Sequence, residues 1–186
     1  MPIEKIFLAG LLGLALLPVE PVYAEGHYLT VGGGRTIRAA TKHDYAAVEL
    51  NLPWKEAIWQ DDSMQLDLHH AFSVAGFEDV NRVYLVSWAP NVILSPRNRG
   101  NSYPYLQAGF GVAWMTDDYF ESEDNNPLHT GTTDMGSHGQ FVSSLTLGWI
   151  HGNFGVRAKV YHYSNAELAH PNDGIDVAEF GVSYHF

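Results

Sequence analysis

Apolar and polar residues alternate with a period of two along much of this chain. From Asp176 the even positions read Asp176, Ala178, Phe180, Val182, Tyr184, Phe186, and the odd ones Val177, Glu179, Gly181, Ser183, His185. Successive strand side chains point to opposite faces, so this is a strand with one apolar face. The pattern recurs around 64–74, 105–115, 140–150 and 154–164 and less cleanly near 44–54 and 82–90. A glycine-rich first strand covers 27–38. Eight strands are predicted, each with one apolar, aromatic face and one face of Gln, Asp, Arg, Lys, Ser and Gly.

A soluble sandwich alternates too. Three features favour an all-β, eight-stranded antiparallel transmembrane β-barrel of the outer membrane: the terminal Phe186 with Tyr184 two residues before it, aromatic residues near strand ends, and strands of roughly 9–11 residues. In lipid, a closed sheet leaves no backbone group unpaired. With an even strand number both termini lie on the periplasmic side, so the connections near 116–137 and 165–175 face the cell exterior.

The N-terminus reads differently. Lys5, the apolar run Ile6 to Leu17, Pro18 and the ending Val22-Tyr23-Ala24 form a secretory signal peptide over 1–24, with the barrel domain over 25–186. The apolar run is too short for a spanning helix, which needs about 20 residues. There is no cysteine, so disulfides are excluded. A net charge of −11 argues against nucleic acid as a partner. The connection near 116–137 is acidic, with Asp117, Asp118, Glu121, Glu123, Asp124 and Asp134. It reads either as a solvated loop or as a site for divalent cations bridging lipopolysaccharide phosphates.

The seventh strand holds the candidate chemistry. Its apolar face runs Phe154, Val156, Ala158, Val160 and then continues with His162 and Ser164. Polar groups on a lipid-facing row are costly. The apolar face of the eighth strand begins with Asp176. An antiparallel hairpin with His162 opposite Asp176 also sets Val160 opposite Ala178, Ala158 opposite Phe180, Val156 opposite Val182 and Phe154 opposite Tyr184. Every pair below the polar one then matches apolar with apolar. This register gathers Ser164, His162 and Asp176 on the outer wall near the extracellular strand ends. His162 would take the Ser164 proton and Asp176 would hold the imidazole. Asn165 would help stabilise an oxyanion through its side chain or backbone N–H. The acyl chain would lie beside Val160, Phe180 and Val182. No metal or cofactor is required. A plain polar belt at the membrane interface is the competing reading of the same residues.

The stretch His162-Tyr163-Ser164-Asn165-Ala166, then Pro171-Asn172-Asp173-Gly174 with an acid at 176, resembles the lipid A 3-O-deacylase family of the PagL type. Tyr184-x-Phe186 fits the same pattern. The resemblance covers roughly the last 30 residues. It implies an eight-stranded barrel that hydrolyses the ester-linked hydroxyacyl chain at position 3 of lipid A. It also implies that His162, Ser164 and the downstream acid form the triad and that Asn165 contributes to the oxyanion site. The implied partners are lipid A in lipopolysaccharide and the outer membrane; a homodimer is left open. One departure stands out, because the family pattern has Glu where this chain has Asp176. Glu179 is the fallback acid, but its parity points it into the lumen.

Other motifs are weaker. Ser137-His138 lacks a paired acid, and His69-His70 alternates faces, which suits no metal pair. Gly32-Gly33-Gly34 has no following GK[ST] and reads as a strand bend. The alternative to an esterase is a non-enzymatic barrel for adhesion or envelope integrity, which has no need of a nucleophile at Ser164.

Overall fold

The structure is a computed structural model that describes residues 26–39, 42–78, 80, 82–121 and 131–186. The proposed signal peptide, Glu123 and Asp124 lie outside the described residues. The strands are β1 (Tyr28–Arg38), β2 (Asp44–Gln60), β3 (Met64–Glu78), β4 (Val83–Pro96), β5 (Ser102–Met115), β6 (Tyr119–Phe120), β7 (Thr133–Asp134), β8 (Gly139–His151), β9 (Phe154–Ser164) and β10 (Ile175–His185). Eight of them close into an antiparallel barrel in the order β1-β10-β9-β8-β5-β4-β3-β2. The short β6 and β7 pair with each other in the long connection. The expected eight-stranded barrel is therefore the fold, and β9 and β10 are its seventh and eighth strands.

Two findings go beyond the predicted pattern. β2, β3 and β4 run 17, 15 and 14 residues, longer than expected. In β2 the register shifts between Pro53 and Lys55 and again before Trp59, and Ala57 has φ 46°. A proline cannot donate to the ladder and a bulge adds unpaired residues. The alternation is lost there although the strand continues. The second finding concerns Gly32 and Gly34, which do not bend β1; its pairing with β10 stays in register across them. A Cβ at Gly32 would lie 2.4 Å from the Glu179 carboxyl carbon, and one at Gly34 would lie 1.9 Å from the Ala178 carbonyl oxygen. These glycines admit close neighbours.

The outer wall is apolar and exposed, with Val74, Phe110, Trp114, Leu147, Val156 and Phe180 among its side chains. A solvent-facing surface of that kind would be unstable, and lipid covers it. The lumen is filled in layers. Tyr45, Phe77, Met115, Tyr163 and Ile175 pack near the loop end, and Phe120 and Met135, next to the β6–β7 hairpin, plug the same mouth. Below them Arg157 bridges Glu49 and Glu179, and Lys159 donates to Glu49 at 2.6 Å. Tyr28, Ile93, Tyr105 and Ile150 form the layer at the opposite mouth. The two described chain ends meet there, where the Phe186 N–H donates to the His27 carbonyl.

Candidate active site

The register between β9 and β10 is the one that the apolar pattern predicts. His162 lies opposite Asp176, Val160 opposite Ala178, Ala158 opposite Phe180, Val156 opposite Val182 and Phe154 opposite Tyr184. The side chains of His162, Ser164 and Asp176 thus share the outer face at the loop end of the barrel. His162 Nδ1 lies 2.6 Å from Asp176 Oδ1, and His162 Nε2 lies 3.1 Å from Ser164 Oγ. Both are hydrogen-bond distances, so imidazole bridges carboxylate and hydroxyl. The His162 side chain keeps 44% of its surface exposed, enough for a substrate to reach the ring. Arg38, opposite Asp176 on β1, brings its guanidinium to 3.9 Å from the second carboxylate oxygen.

The loop after Ser164 is built to hold this end of β9. Ala166 and Glu167 both have positive φ, at 54° and 64°. Asn165 is buried, and its Nδ2 donates to the carbonyls of Met135 and Ala169 at 2.7 and 3.0 Å. Its backbone N–H donates to Asn172 Oδ1 at 3.1 Å. Asp134 and Asp173 tie the two external connections together, with Asp134 N–H donating to the Asp173 carboxylate and Asp173 N–H to the Asp134 carbonyl. Gly174 lies beside His162, where a Cβ would make ordinary contact with Cε1 at 3.4 Å. Its φ of 63° is what favours glycine there, since a non-glycine residue would be strained.

The remaining candidates separate from this cluster. Val160, Phe180 and Val182 are exposed on the same outer wall, further along β9 and β10 toward the termini. Glu179 lies in the lumen, bonded to Arg157 and Tyr161 and remote from the outer face. His69 is buried in the lumen, while His70 faces outward and stacks on Trp54 with ring centroids 4.7 Å apart. His138 stacks on Trp114, and its Nδ1 lies 3.1 Å from the Met115 carbonyl. Asp117 accepts from the Tyr119 N–H, so part of the acidic loop closes on itself. Among the described residues no cluster of His, Asp and Glu is arranged to hold a metal.

The sequence over residues 44–185 matches the family described as lipid A 3-O-deacylase (PagL). The chain belongs to that family. A curated relative, lipid A deacylase PagL of Pseudomonas aeruginosa, is 30% identical over 135 residues, covering 68% of this chain and 69% of the relative. Among solved structures, that of the outer membrane enzyme PagL superposes with a TM-score of 0.73 at 21% identity, covering 86% of this chain and 99% of that one. Neisserial surface protein A shares the fold more loosely, with a TM-score of 0.50 at 11% identity over 87% of this chain and 98% of that one. The family match includes both strands that carry His162, Ser164 and Asp176.

Three site features escaped the sequence. Arg38 is distant in sequence and becomes a neighbour only through the β1–β10 pairing that closes the barrel. Asn172 was visible in the motif, but its bond to the Asn165 N–H depends on the loop's fold. The bracing by Met135 comes from the base of another connection, 30 residues away.

Proposed function

We propose that this protein is an outer-membrane lipid A 3-O-deacylase in which Ser164 is the nucleophile, His162 the general base and Asp176 the residue that orients it. The observation that carries this reading is the unbroken hydrogen-bonded chain Asp176–His162–Ser164 on an otherwise apolar wall. His162 Nε2 takes the Ser164 proton as Oγ attacks the ester carbonyl. The tetrahedral intermediate collapses, the sugar 3-hydroxyl leaves with the proton from His162, and an acyl-Ser164 remains. Water, deprotonated by His162, attacks the acyl group and releases the 3-hydroxy fatty acid. Asp176 stabilises the imidazolium at both stages.

Asn165 remains a proposed contributor to the oxyanion site, although its donors are engaged by Met135, Ala169 and Asn172. A bond would have to be exchanged during turnover. Asn172 is held through its Oδ1, and its NH2 group has no partner among the described residues. It is the better supplied donor, and the two amides can be separated by comparing Asn165→Ala with Asn172→Ala. Val160, Phe180 and Val182 extend the apolar wall below the triad and are proposed to contact substrate acyl chains. Residues 1–24 are proposed to be removed on export, which N-terminal sequencing of the membrane-inserted protein checks.

The decisive experiment is mass spectrometry of lipid A from cells producing the wild type or Ser164→Ala. Loss of one ester-linked hydroxyacyl chain with the wild type and not with the variant is expected. Lipid A unchanged by an abundant, folded wild type would favour the non-enzymatic barrel.

A further inference from the structure

Asp176 has to present one carboxylate oxygen to His162 and keep the other still. Its Oδ1 lies 2.6 Å from His162 Nδ1. The side chain does not fix that orientation by itself, because the last torsion of aspartate is broad and roughly two-fold. Something must hold Oδ2. Asp176 lies within the sheet, paired with His162 of β9 on one side and with Arg38 of β1 on the other. Backbone N–H groups in such a ladder are committed to the neighbouring strands. The holder therefore has to be a side chain. The position directly opposite on β1 is its nearest source, since opposed Cβ atoms lie about 4.5–5.5 Å apart.

An irregularity puts an arginine at that position. From Tyr28 opposite His185 to Thr36 opposite Val177 the β1–β10 pairing keeps one register, and the next step would set Ile37 against Asp176. The register shifts there instead, and Arg38 pairs with Asp176. A bulge of this kind adds a residue to one strand and re-aims a side chain. Arg38 Nη1 stands 3.9 Å from Asp176 Oδ2, an ion-pair separation longer than a hydrogen bond. Arg35, earlier on the same strand, is neutralised by Asp44 at 2.7 Å, so the two arginines face different carboxylates. The shorter acid suits this arrangement. Aspartate keeps its carboxylate close to the β10 backbone, between His162 on one neighbouring strand and Arg38 on the other, whereas glutamate would carry it a methylene further from the sheet.

Resting on the deacylase reading, we infer that Arg38 is a positioning residue for the triad, brought to Asp176 by the bulge at Ile37. It holds Oδ2 so that Oδ1 keeps facing His162 Nδ1 and the imidazole keeps Nε2 toward Ser164. Arg38 touches neither the ester nor the nucleophile. Its side chain is three-quarters exposed, and ion pairs so open to solvent add little to folding. Its influence falls on turnover. Because Arg38 acts on the charge of Asp176, that influence vanishes when the charge is removed.

The test uses purified full-length protein in detergent micelles, with a 2,3-diacylglucosamine 1-phosphate and its phosphate-free counterpart as substrates. Arg38→Gln is expected to lower kcat about ten-fold on both, with KM within about two-fold and the urea unfolding midpoint unchanged. Arg38→Lys is expected to recover most of kcat. In an Asp176→Asn background, Arg38→Gln should change the residual rate by less than about two-fold, read by long incubation with radiolabelled substrate. A full loss that persists in that background would overturn the inference, because Arg38 would then act on something other than Asp176. A raised KM confined to the phosphorylated substrate would also overturn it and make Arg38 a contact for the sugar phosphate. So would an unchanged kcat in Arg38→Gln. Those outcomes leave the deacylase reading intact. Failure of the folded wild type on both glycolipids would strike that reading, and this inference with it.

Discussion

Strands β9 and β10 carry two polar clusters on opposite faces of one sheet, and the two could hardly differ more in how their hydrogen bonds are filled. Inside, Glu49 accepts from Arg157, Lys159, Asn51 and Tyr161, and Glu179 accepts from Arg157 and Tyr161. These groups are essentially sealed from solvent. Moving a proton there would strand a buried charge. Outside, His162 bridges Asp176 and Ser164 in a single chain, half open to its surroundings. That leaves capacity for an incoming carbonyl. Both clusters pair a carboxylate of β10 with basic side chains of β9, and the inner one adds Glu49 and Asn51 from β2. Saturation of hydrogen bonds is what separates a cluster that holds the barrel together from one that can react.

The largest expected effect comes from removing the open end of the outer chain. Ser164→Ala should abolish deacylation, a loss on the order of 10⁶ where a triad acts as a unit. The barrel should stay folded and retain its heat-dependent gel mobility. Comparable lipid A deacylation by the variant would place Ser164 among the structural residues after all.

Next comes the acid. Asp176→Asn should cost on the order of 10⁴ in turnover, because asparagine cannot stabilise the imidazolium and favours the wrong tautomer. Asp176→Glu keeps the charge and should cost less, even with its carboxylate one methylene further out. Deacylation rates for both in micelles check this. If Glu179→Gln stopped turnover and Asp176→Asn did not, the roles assigned to the two faces would have to be exchanged.

The inner cluster should respond in the opposite currency. Arg157→Met removes the cation shared by Glu49 and Glu179 and should destabilise the barrel by about 3–5 kcal/mol. Urea unfolding in detergent measures that loss, and the fraction still folded should deacylate within about two-fold of wild type. A smaller change tests the strained loop beside Ser164. Glu167 sits at φ 64°, where glycine is preferred by about 1 kcal/mol. Glu167→Gly should raise the unfolding midpoint slightly, whereas the regular backbone under the inner cluster offers no such gain.

Much of this was legible in the residues. Matching apolar to apolar between 154–164 and 176–186 excludes a slip of one residue, which would turn every side chain to the other face, and setting His162 against Asp176 chooses among the registers that remain. That register brought His162 to Asp176 and sent Glu179 inward. The short connection between the two strands made the pairing local enough to see. What lay beyond reach depended on distant pairings. Arg38 cannot be read from one strand's alternation, since it becomes a neighbour of Asp176 only through the β1–β10 pairing that closes the barrel. The far end of β2 was hidden for a different reason. Pro53 and the bulge around Ala57 erase the period of two while the strand persists.

The layered filling of the lumen has an electrical consequence. Aromatic residues at one mouth, a locked set of opposite charges at mid-height and a tyrosine–isoleucine layer at the other stand in series across the lumen among the described residues, and together they oppose the passage of water and ions. A planar bilayer holding the purified protein should show no single-channel current. The cell can therefore carry many copies without loss of small solutes through the envelope, and the permeability of its surface is set elsewhere.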